Sequence, residues 1–576
     1  MFQLMGRYMR QYKWYAIFSP IMMVLEVLAD VLAPFLMAII VDQAIPARDS
    51  NQVVRLGLIM VGVALWGLIS GAVSAFMGST AGFGLGANVR DAVFKKVQGF
   101  SFQQLDKFSV PSLITRLTND CTMVSMVTMM TLRMAIRSPV MMVLAIFMAF
   151  TINARLALIF AVSLPVLAVT IVVVMLMAKS RFRLMQKNVD RVNGVIEEDL
   201  TSIRVIKSFV REEYETGRFG QRNDDVRDTM IKAGNLIIAI MPIMNLVVYA
   251  SMIAIFWFGG LQVMEGTMGP GQIMSFISYC MQIMMSLMML SMYFLQLTRG
   301  NTSAERIQEI LDTEADLHSP ADGGIGEVVD GSVEFADVDF RYAGNSGDSL
   351  QDVTFSIKSG ETVGIIGSTG SAKSTLVQLI PRLYDSTRGE VKVGGVDVRD
   401  YNLETLRNAV AFVLQKNTLF SGTLRENMQW GDATASDEEI IEAMRQAQAW
   451  EFVSQLPEGL DSWVEQGGSN FSGGQKQRLT IARALLKKPK ILILDDSTSA
   501  VDTGTDAKIR KSFAEHLSEV TTFIIAQRIN SIQGADRILV MDEGKITAMG
   551  THAELLAGNE VYQDLYETQV KGAIAQ

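Results

Sequence analysis

Histidine and cysteine are scarce in this chain. Its 576 residues include three histidines, His318, His516 and His552, and two cysteines, Cys121 and Cys280. A histidine-rich metal centre is unsupported, and the cysteines, in or beside apolar runs, point to neither a disulfide scaffold nor a metal site. A cleavable targeting signal is wanting as well: Met1 to Tyr12 is short, mixed in polarity and without a small-residue cleavage pattern. That stretch reads as an interfacial amphipathic helix leading into a membrane span. Uniform composition is also absent. Up to Arg299 the chain carries 26 Lys and Arg against 18 Asp and Glu and holds 32 of its 36 methionines; from Asn301 onward the counts are 25 against 42. The first half is apolar and slightly basic, the second has the balance of an acidic soluble domain, and at least two domains are expected.

Charge is largely missing from stretches near residues 15–41, 55–83, 123–150, 156–178, 234–260 and 270–298. Each exceeds the roughly 20 apolar residues that cross a bilayer. Arg7, Arg10 and Lys13 precede the first stretch, and the segments 84–120 and 179–232 carry most of the remaining cations. Long basic connections belong on the cytoplasmic side, which puts both termini and the acidic half inside. In 179–230, charged residues alternate with Ile203, Val205, Ile206, Phe209 and Phe219, so the spans are expected to continue as amphipathic rods. Their turning points, near 99–113 and 199–213, are placed to contact a soluble domain. The expected division is 1–300 membrane domain, 301–330 connector and 331–576 soluble domain.

Some polar residues lie within the apolar stretches. Glu26 and Asp30 are four positions apart in the first, and Arg133 and Arg137 repeat that spacing in the third. Lipid rejects such faces, so they point into the bundle or a water-filled cavity. There the carboxyls either contact cargo or pair structurally. Met281, Met284, Met285, Met288, Met289 and Met292 give the last stretch an adaptable apolar surface, suited to varied hydrophobic cargo or to ordinary packing. Pro242 is placed to kink the fifth span, and Gly300 ends the last periodic run.

In the second half, Ser332 to Phe340 alternates as a strand does, and Val363 to Ile366 reads as a buried strand. The sequence Gly367-Ser368-Thr369-Gly370-Ser371-Ala372-Lys373-Ser374-Thr375 follows, then Leu376 to Leu383 as a helix. Strand, glycine-rich loop and helix cradle phosphates with backbone N–H groups; Lys373 bridges the outer phosphates and Ser374 offers a hydroxyl to Mg²⁺. Ala372 replaces the usual glycine, and a negative φ at the helix opening is expected to tolerate it. Ile491 to Leu494 forms a second buried strand ending in Asp495 and Asp496. Asp495 is placed to hold the metal's water shell, and Asp496 to orient or deprotonate the attacking water. Aspartate is one methylene shorter than glutamate, and a displacement near 1 Å costs orders of magnitude in rate. Ser472 with Gly473 and Gly474, ahead of the helical pattern Leu479 to Leu486, makes an N–H-rich helix opening suited to a terminal phosphate.

Together these residues resemble an ATP-binding-cassette exporter half-transporter over nearly the whole chain. The resemblance implies a six-helix transmembrane domain followed by an α/β P-loop ATPase domain with an antiparallel β subdomain and a helical subdomain. It implies that Tyr342 stacks on adenine and that Gln415 senses the metal, making Ser374, Gln415 and Asp495 the Mg²⁺ set. Phe471-Ser472-Gly473-Gly474-Gln475 matches the signature segment, with phenylalanine at the usual leucine position, and Ser499-Ala500-Val501-Asp502 matches the loop that communicates across two cassettes. Two such cassettes meet head to tail, each ATP lying between one chain's phosphate loop and the other's signature.

The family's switch histidine is replaced by Gln527, which hydrogen-bonds a phosphate but cannot accept charge as histidine does. With Asp496, both departures fall in the site built on this chain's own loop, while the signature it offers is nearly intact. The expectation is a degenerate-site subunit of a heterodimeric, multidrug-type exporter in the bacterial inner membrane. Its partners would be a non-identical half-transporter with competent catalytic residues, hydrophobic or amphipathic cargo and membrane lipid, with no nucleic acid. A lipid or lipopeptide translocase and a nucleotide-regulated channel or scaffold are the alternatives.

Overall fold

Six helices among the described residues are long and apolar enough to cross a bilayer: Arg10–Ala44, Ser50–Gln98, Val110–Ile152, Ala154–Thr201, Glu212–Met264 and Pro270–Asp312. At about 1.5 Å per residue the longest exceeds twice a roughly 30 Å hydrocarbon core, so the apolar stretches are the middles of longer rods. The computed structural model describes residues 1–496 and 501–574 and divides the chain into two units. Met1–Gln98 with Val110–Thr313 form the first, and Gly99–Ser109 with Glu314–Gln576 the second.

Inside the first unit, Val27, Phe160, Phe276, Tyr279, Cys280 and Ile283 are among the residues of one buried cluster. Its charged residues pair across helices. Arg137 holds Glu26 through Nη1 and Asp30 through Nη2, the latter at 2.8 Å. Gln282 donates to the Asp30 carbonyl at 3.1 Å, and Tyr279 to the Val31 carbonyl at 3.0 Å. Of the two readings of Glu26 and Asp30, pairing within the chain is the one observed. Arg133 lies against Gly78, and its buried Nε has no hydrogen-bond partner among the described residues. The last span's methionines divide: Met284 is buried, while Met281, Met285 and Met292 are exposed.

Two helix boundaries differ from expectation. Gly300 does not end the last helix, which runs through it to Asp312. A Cβ at Gly300 would lie 2.9 Å from Val127, so this glycine permits a close helix crossing and is not a terminator. The helix after the phosphate loop spans only Lys373–Gln378, short of Leu383. Pro381 lacks the N–H that a further turn requires, and Arg382 takes φ +50°.

The second unit contains the strands β1 (Val333–Phe340), β2 (Leu350–Ile357), β3 (Thr362–Gly367), β4 (Arg388–Val393), β5 (Val396–Asp397) and β6 (Val410–Val413). It continues with β7 (Gly422–Thr423), β8 (Trp463–Val464), β9 (Ile491–Asp495), β10 (Thr521–Ile525), β11 (Arg537–Asp542) and β12 (Lys545–Gly550). A sheet of order β2-β1-β4-β5 is antiparallel, and β7 pairs with β8. The larger sheet runs β12-β11-β3-β10-β9-β6 and is parallel except at β12. Every residue of β9 and of β10 is buried, as continuous apolar runs in a doubly covered parallel sheet should be. The helices Leu424–Met428, Asp437–Gln446, Trp450–Val453 and Gly473–Leu486 follow β6 and precede β9. The carboxyl ends of β3, β9 and β10 therefore bring Gly367, Asp495 and the segment after Ile525 to one edge of the sheet, where α/β sheets bind ligands.

Candidate functional site

Register places the loop. β3 pairs with β10 on one side and β11 on the other, and Gly367 sits where a Cβ would meet the Met541 carbonyl oxygen at 2.0 Å. The chain turns there: Ser371 N–H donates to the Ser368 carbonyl at 3.2 Å, and Gly370 takes φ +89°. Thr369 completes that turn. Ala372, expected at negative φ, adopts φ +68° and ψ +25° instead. The loop has to reverse before the helix can start, and that reversal requires left-handed backbone whichever residue stands there; alanine bears a strain that glycine would not.

Lys373 folds its ammonium beneath the loop, donating to the carbonyls of Gly367 at 2.9 Å and Ser368 at 2.7 Å. Burial pushes its pKa down, against the pull of Asp495 and Asp496. Ser374 Oγ donates to Asp495 Oδ1 at 2.9 Å, joining the loop to the end of β9. Asp495 is buried, and that burial raises its pKa; the Ser374 hydrogen bond opposes the rise and the charge of Asp496 adds to it. Asp496 takes φ +48°, a conformation aspartate tolerates better than most residues. Its carboxyl is also pushed up by burial, offset by hydrogen bonds from Gln415 and Gln527. Gln527 Nε2 donates to Asp496 Oδ2 at 2.9 Å. Both departures seen in the sequence therefore touch each other.

Tyr342 stands edge-on to Phe340 and Tyr384, with ring centroids 4.8 and 5.3 Å away, and its hydroxyl lies 3.0 Å from Thr375 Oγ1. Tyr384 in turn donates to Asp106 Oδ2 at 2.8 Å, on the short helix Phe102–Phe108. Ser101 Oγ, capping that helix, donates to Asp316 at 2.8 Å. Ser472 caps the helix Gly473–Leu486 reciprocally with Gln475: Ser472 Oγ accepts the Gln475 N–H at 3.3 Å, and Gln475 Oε1 accepts the Ser472 N–H at 2.9 Å. That leaves the first-turn N–H groups of Gly473 and Gly474 for a ligand. Gln477 on the same helix donates to the Asp496 carbonyl at 3.3 Å. Asp502 caps Thr503–His516 by accepting the Thr505 N–H at 2.9 Å, a bond that holds its carboxyl below the usual range. Ser499 and Ala500, from the expected communication loop, lie outside the described residues.

A hydroxyl and a carboxylate in contact, with no group of three His, Cys, Asp or Glu among the described residues, fit a hard cation that shares nucleotide phosphates and water. Mg²⁺ meets that description and would be held by Ser374 and Asp495; the Gln415 amide is engaged with Asp496. Sequence reading singled out the loop and the carboxylates but missed the contacts of Tyr384 with Asp106 and of Gln569 with the backbone at Gln527 and Ile529. These partners lie about 40 to 280 positions apart, and no motif marks them.

Comparison with known proteins agrees with this geometry. The family described as "ABC transporter transmembrane region" matches residues 16–287, and that described as "ABC transporter" matches residues 350–499. An uncharacterized ABC transporter ATP-binding protein of Mycobacterium tuberculosis is 38% identical over 570 residues, covering 98% of each chain. An ATP-dependent lipid A-core flippase of Pseudomonas aeruginosa is 35% identical over 90% of this chain and 86% of its own. The solved structure of a bacterial Atm1-family ABC exporter with ATP bound has the same fold, with a TM-score of 0.80 at 24% identity over 96% of this chain and 98% of that one.

Proposed function

Since the chain belongs to the ABC transporter family, as a membrane-embedded exporter-type half-transporter carrying an ATP-hydrolysing cassette, we propose that it moves lipid-like amphiphiles as one half of a heterodimer. Its own phosphate loop binds ATP and hydrolyses it slowly. The carrying observation is the 2.9 Å hydrogen bond from Gln527 to Asp496. A carboxylate whose oxygens are engaged by the amides of Gln415 and Gln527 is tied down away from an attacking water, and it is too short to reach where glutamate would. Glutamine, unlike histidine, cannot take up a proton at the switch position. Lys373 and the loop N–H groups neutralise the phosphates, Tyr342 receives the adenine, and Mg²⁺, when bound by Ser374 and Asp495, supplies charge neutralisation at the outer phosphates. Ser472, Gly473, Gly474 and Gln475 complete the partner's site, and Asp502 lies at the communication between cassettes.

For cargo, the likeness to a lipid A-core flippase favours lipid over a broad range of hydrophobic compounds. The exposed methionines of the last span suit the apolar body of an amphiphile. Termini and cassette face the cytoplasm of a bacterial inner membrane. The test is transport: the assembled pair, reconstituted in vesicles with headgroup-labelled phospholipid, should make the label inaccessible to or newly accessible from outside only when ATP is supplied. ATP hydrolysis without lipid movement, but with export of a hydrophobic dye, would return cargo to the broader reading. Ion flux gated by nucleotide, with movement of neither, would leave a channel.

A further inference from the structure

The helix Glu560–Ile574 reaches the switch segment through one side chain. Gln569 Oε1 accepts the Ile529 N–H at 2.9 Å, and Gln569 Nε2 donates to the Gln527 carbonyl at 2.9 Å. One planar amide thus brackets Arg528 by gripping the backbone on either side of it. The choice of residue is chemical: a glutamine offers an acceptor and a donor side by side, glutamate only acceptors, alanine neither. The helix is a firm base for such a grip. Tyr562 is fully buried in the same hydrophobic cluster as Ile529 and Ile532, its hydroxyl lies 2.7 Å from His552 Nδ1, and its N–H is capped by Asn559 at 2.8 Å.

On its other side the segment is tied to the helix Thr503–His516 further along, where Arg510 donates to the Asn530 carbonyl at 2.7 Å. Pairing of β10 with β3 ends with the Ala526 N–H on the Ile365 carbonyl at 3.2 Å, and the next local bonds are those of the short turn Ile529–Ser531. Between them stands Gln527, whose side chain donates to Asp496. A continuous run of hydrogen bonds therefore leads from the helix through Gln569 and Gln527 to the Asp496 carboxylate just past β9.

We propose that Gln569 is a positioning residue for the nucleotide site, fixing the backbone at Gln527 to Ile529 so that the Gln527 amide stays on Asp496. It acts through Gln527 and touches no reacting group. The helix Glu560–Ile574 thereby sets how long nucleotide stays on this chain's phosphate loop. This rests on the reading of Asp496 and Gln527 as the outer edge of that site.

The experiment uses the full-length chain and two readouts. Hydrogen exchange over residues 526–530 reports the grip itself, and dissociation of a fluorescent ATP analogue in Mg²⁺ reports its effect at the site. Gln569→Ala should quicken exchange at the Ile529 amide on the order of tenfold and speed nucleotide release several-fold, as loss of one or two ordinary hydrogen bonds implies. Gln569→Glu keeps the bond to Ile529 and should lie between wild type and Gln569→Ala; it also serves if the alanine variant fails to fold. Gln527→Ala is the control for the site reading. Unchanged exchange in Gln569→Ala and Gln569→Glu overturns the proposal. So does faster exchange with unaltered release while Gln527→Ala alters release, which leaves the site reading intact. If neither Gln527→Ala nor Gln569→Ala alters release, the site reading fails and the proposal with it.

Discussion

Asp495 is buried at the end of a fully buried strand, yet its use requires a negative charge. Burial raises its pKa above the ordinary carboxylate value of 3.8, with the Ser374 bond opposing that rise and Asp496 adding to it. The sign follows. At neutral pH the folded, nucleotide-free cassette holds this charge at a cost to stability, and the cost is relieved as pH falls through the raised folded value toward 3.8. Asp495→Asn removes the charge while keeping an acceptor for Ser374. Its nucleotide-free unfolding midpoint should rise by a few degrees near pH 7, and the extra stabilisation that Mg²⁺ adds to ATP should vanish in differential scanning fluorimetry. A lower midpoint would mean that the carboxylate is better paired than its surroundings imply. Ala372 gives a second residue-scale test. Glycine at φ +68° relieves a left-handed strain of roughly 1–2 kcal/mol, partly offset by the freer unfolded chain, so Ala372→Gly should stabilise the cassette by about 0.5–1 kcal/mol in denaturant titration. Lost stability would show that the methyl makes contacts outweighing its strain.

Between elements, one guanidinium serves two carboxylates across the first and third spans. Removing it strands both; breaking a fully buried pair costs about 3–5 kcal/mol, and these groups are only half-buried, so about 1–3 kcal/mol is expected. Arg137→Ala should lower the thermal midpoint of the solubilised protein clearly, and the neutral set Glu26→Gln, Asp30→Asn and Arg137→Gln should recover most of the loss. If the neutral set is as unstable as the single variant, the charges do more than balance one another. The i, i+4 spacing in both spans was legible in the sequence, but which face meets which depends on helix register, and no local pattern encodes register. The same division runs through the cassette. Strand periods and the glycine-rich loop were legible because β3 and β9 are buried on both faces. The sign of φ at Ala372 was not, because alanine ordinarily takes negative φ and nothing in the local pattern marks the left-handed residue just ahead of the helix. Gly300 looked like a terminator because glycine usually is one after a helix; its neighbour Val127 makes it a crossing point. Gln569 was invisible because a glutamine on an amphipathic helix looks like any solvated residue until its two backbone partners are seen.

At the scale of the whole molecule, six candidate spans among the described residues and one cassette make a half-transporter; on the proposed reading, each ATP site of the assembly takes residues from two chains. In the proposed division of labour, turnover is slow at the site on this chain's loop, where Asp496 and Gln527 hold each other, and rapid at the site that Ser472 to Gln475 complete for the partner. Loss of an effective catalytic base costs roughly 10²–10⁴ in rate. The decisive measurement is steady-state ATPase activity of the assembled transporter carrying Asp496→Ala, beside one in which the partner's glutamate at the corresponding position is replaced by alanine. The first should retain most of the activity and the second should lose nearly all of it. Near-complete loss with Asp496→Ala, and little loss with the partner's substitution, would contradict that division of labour.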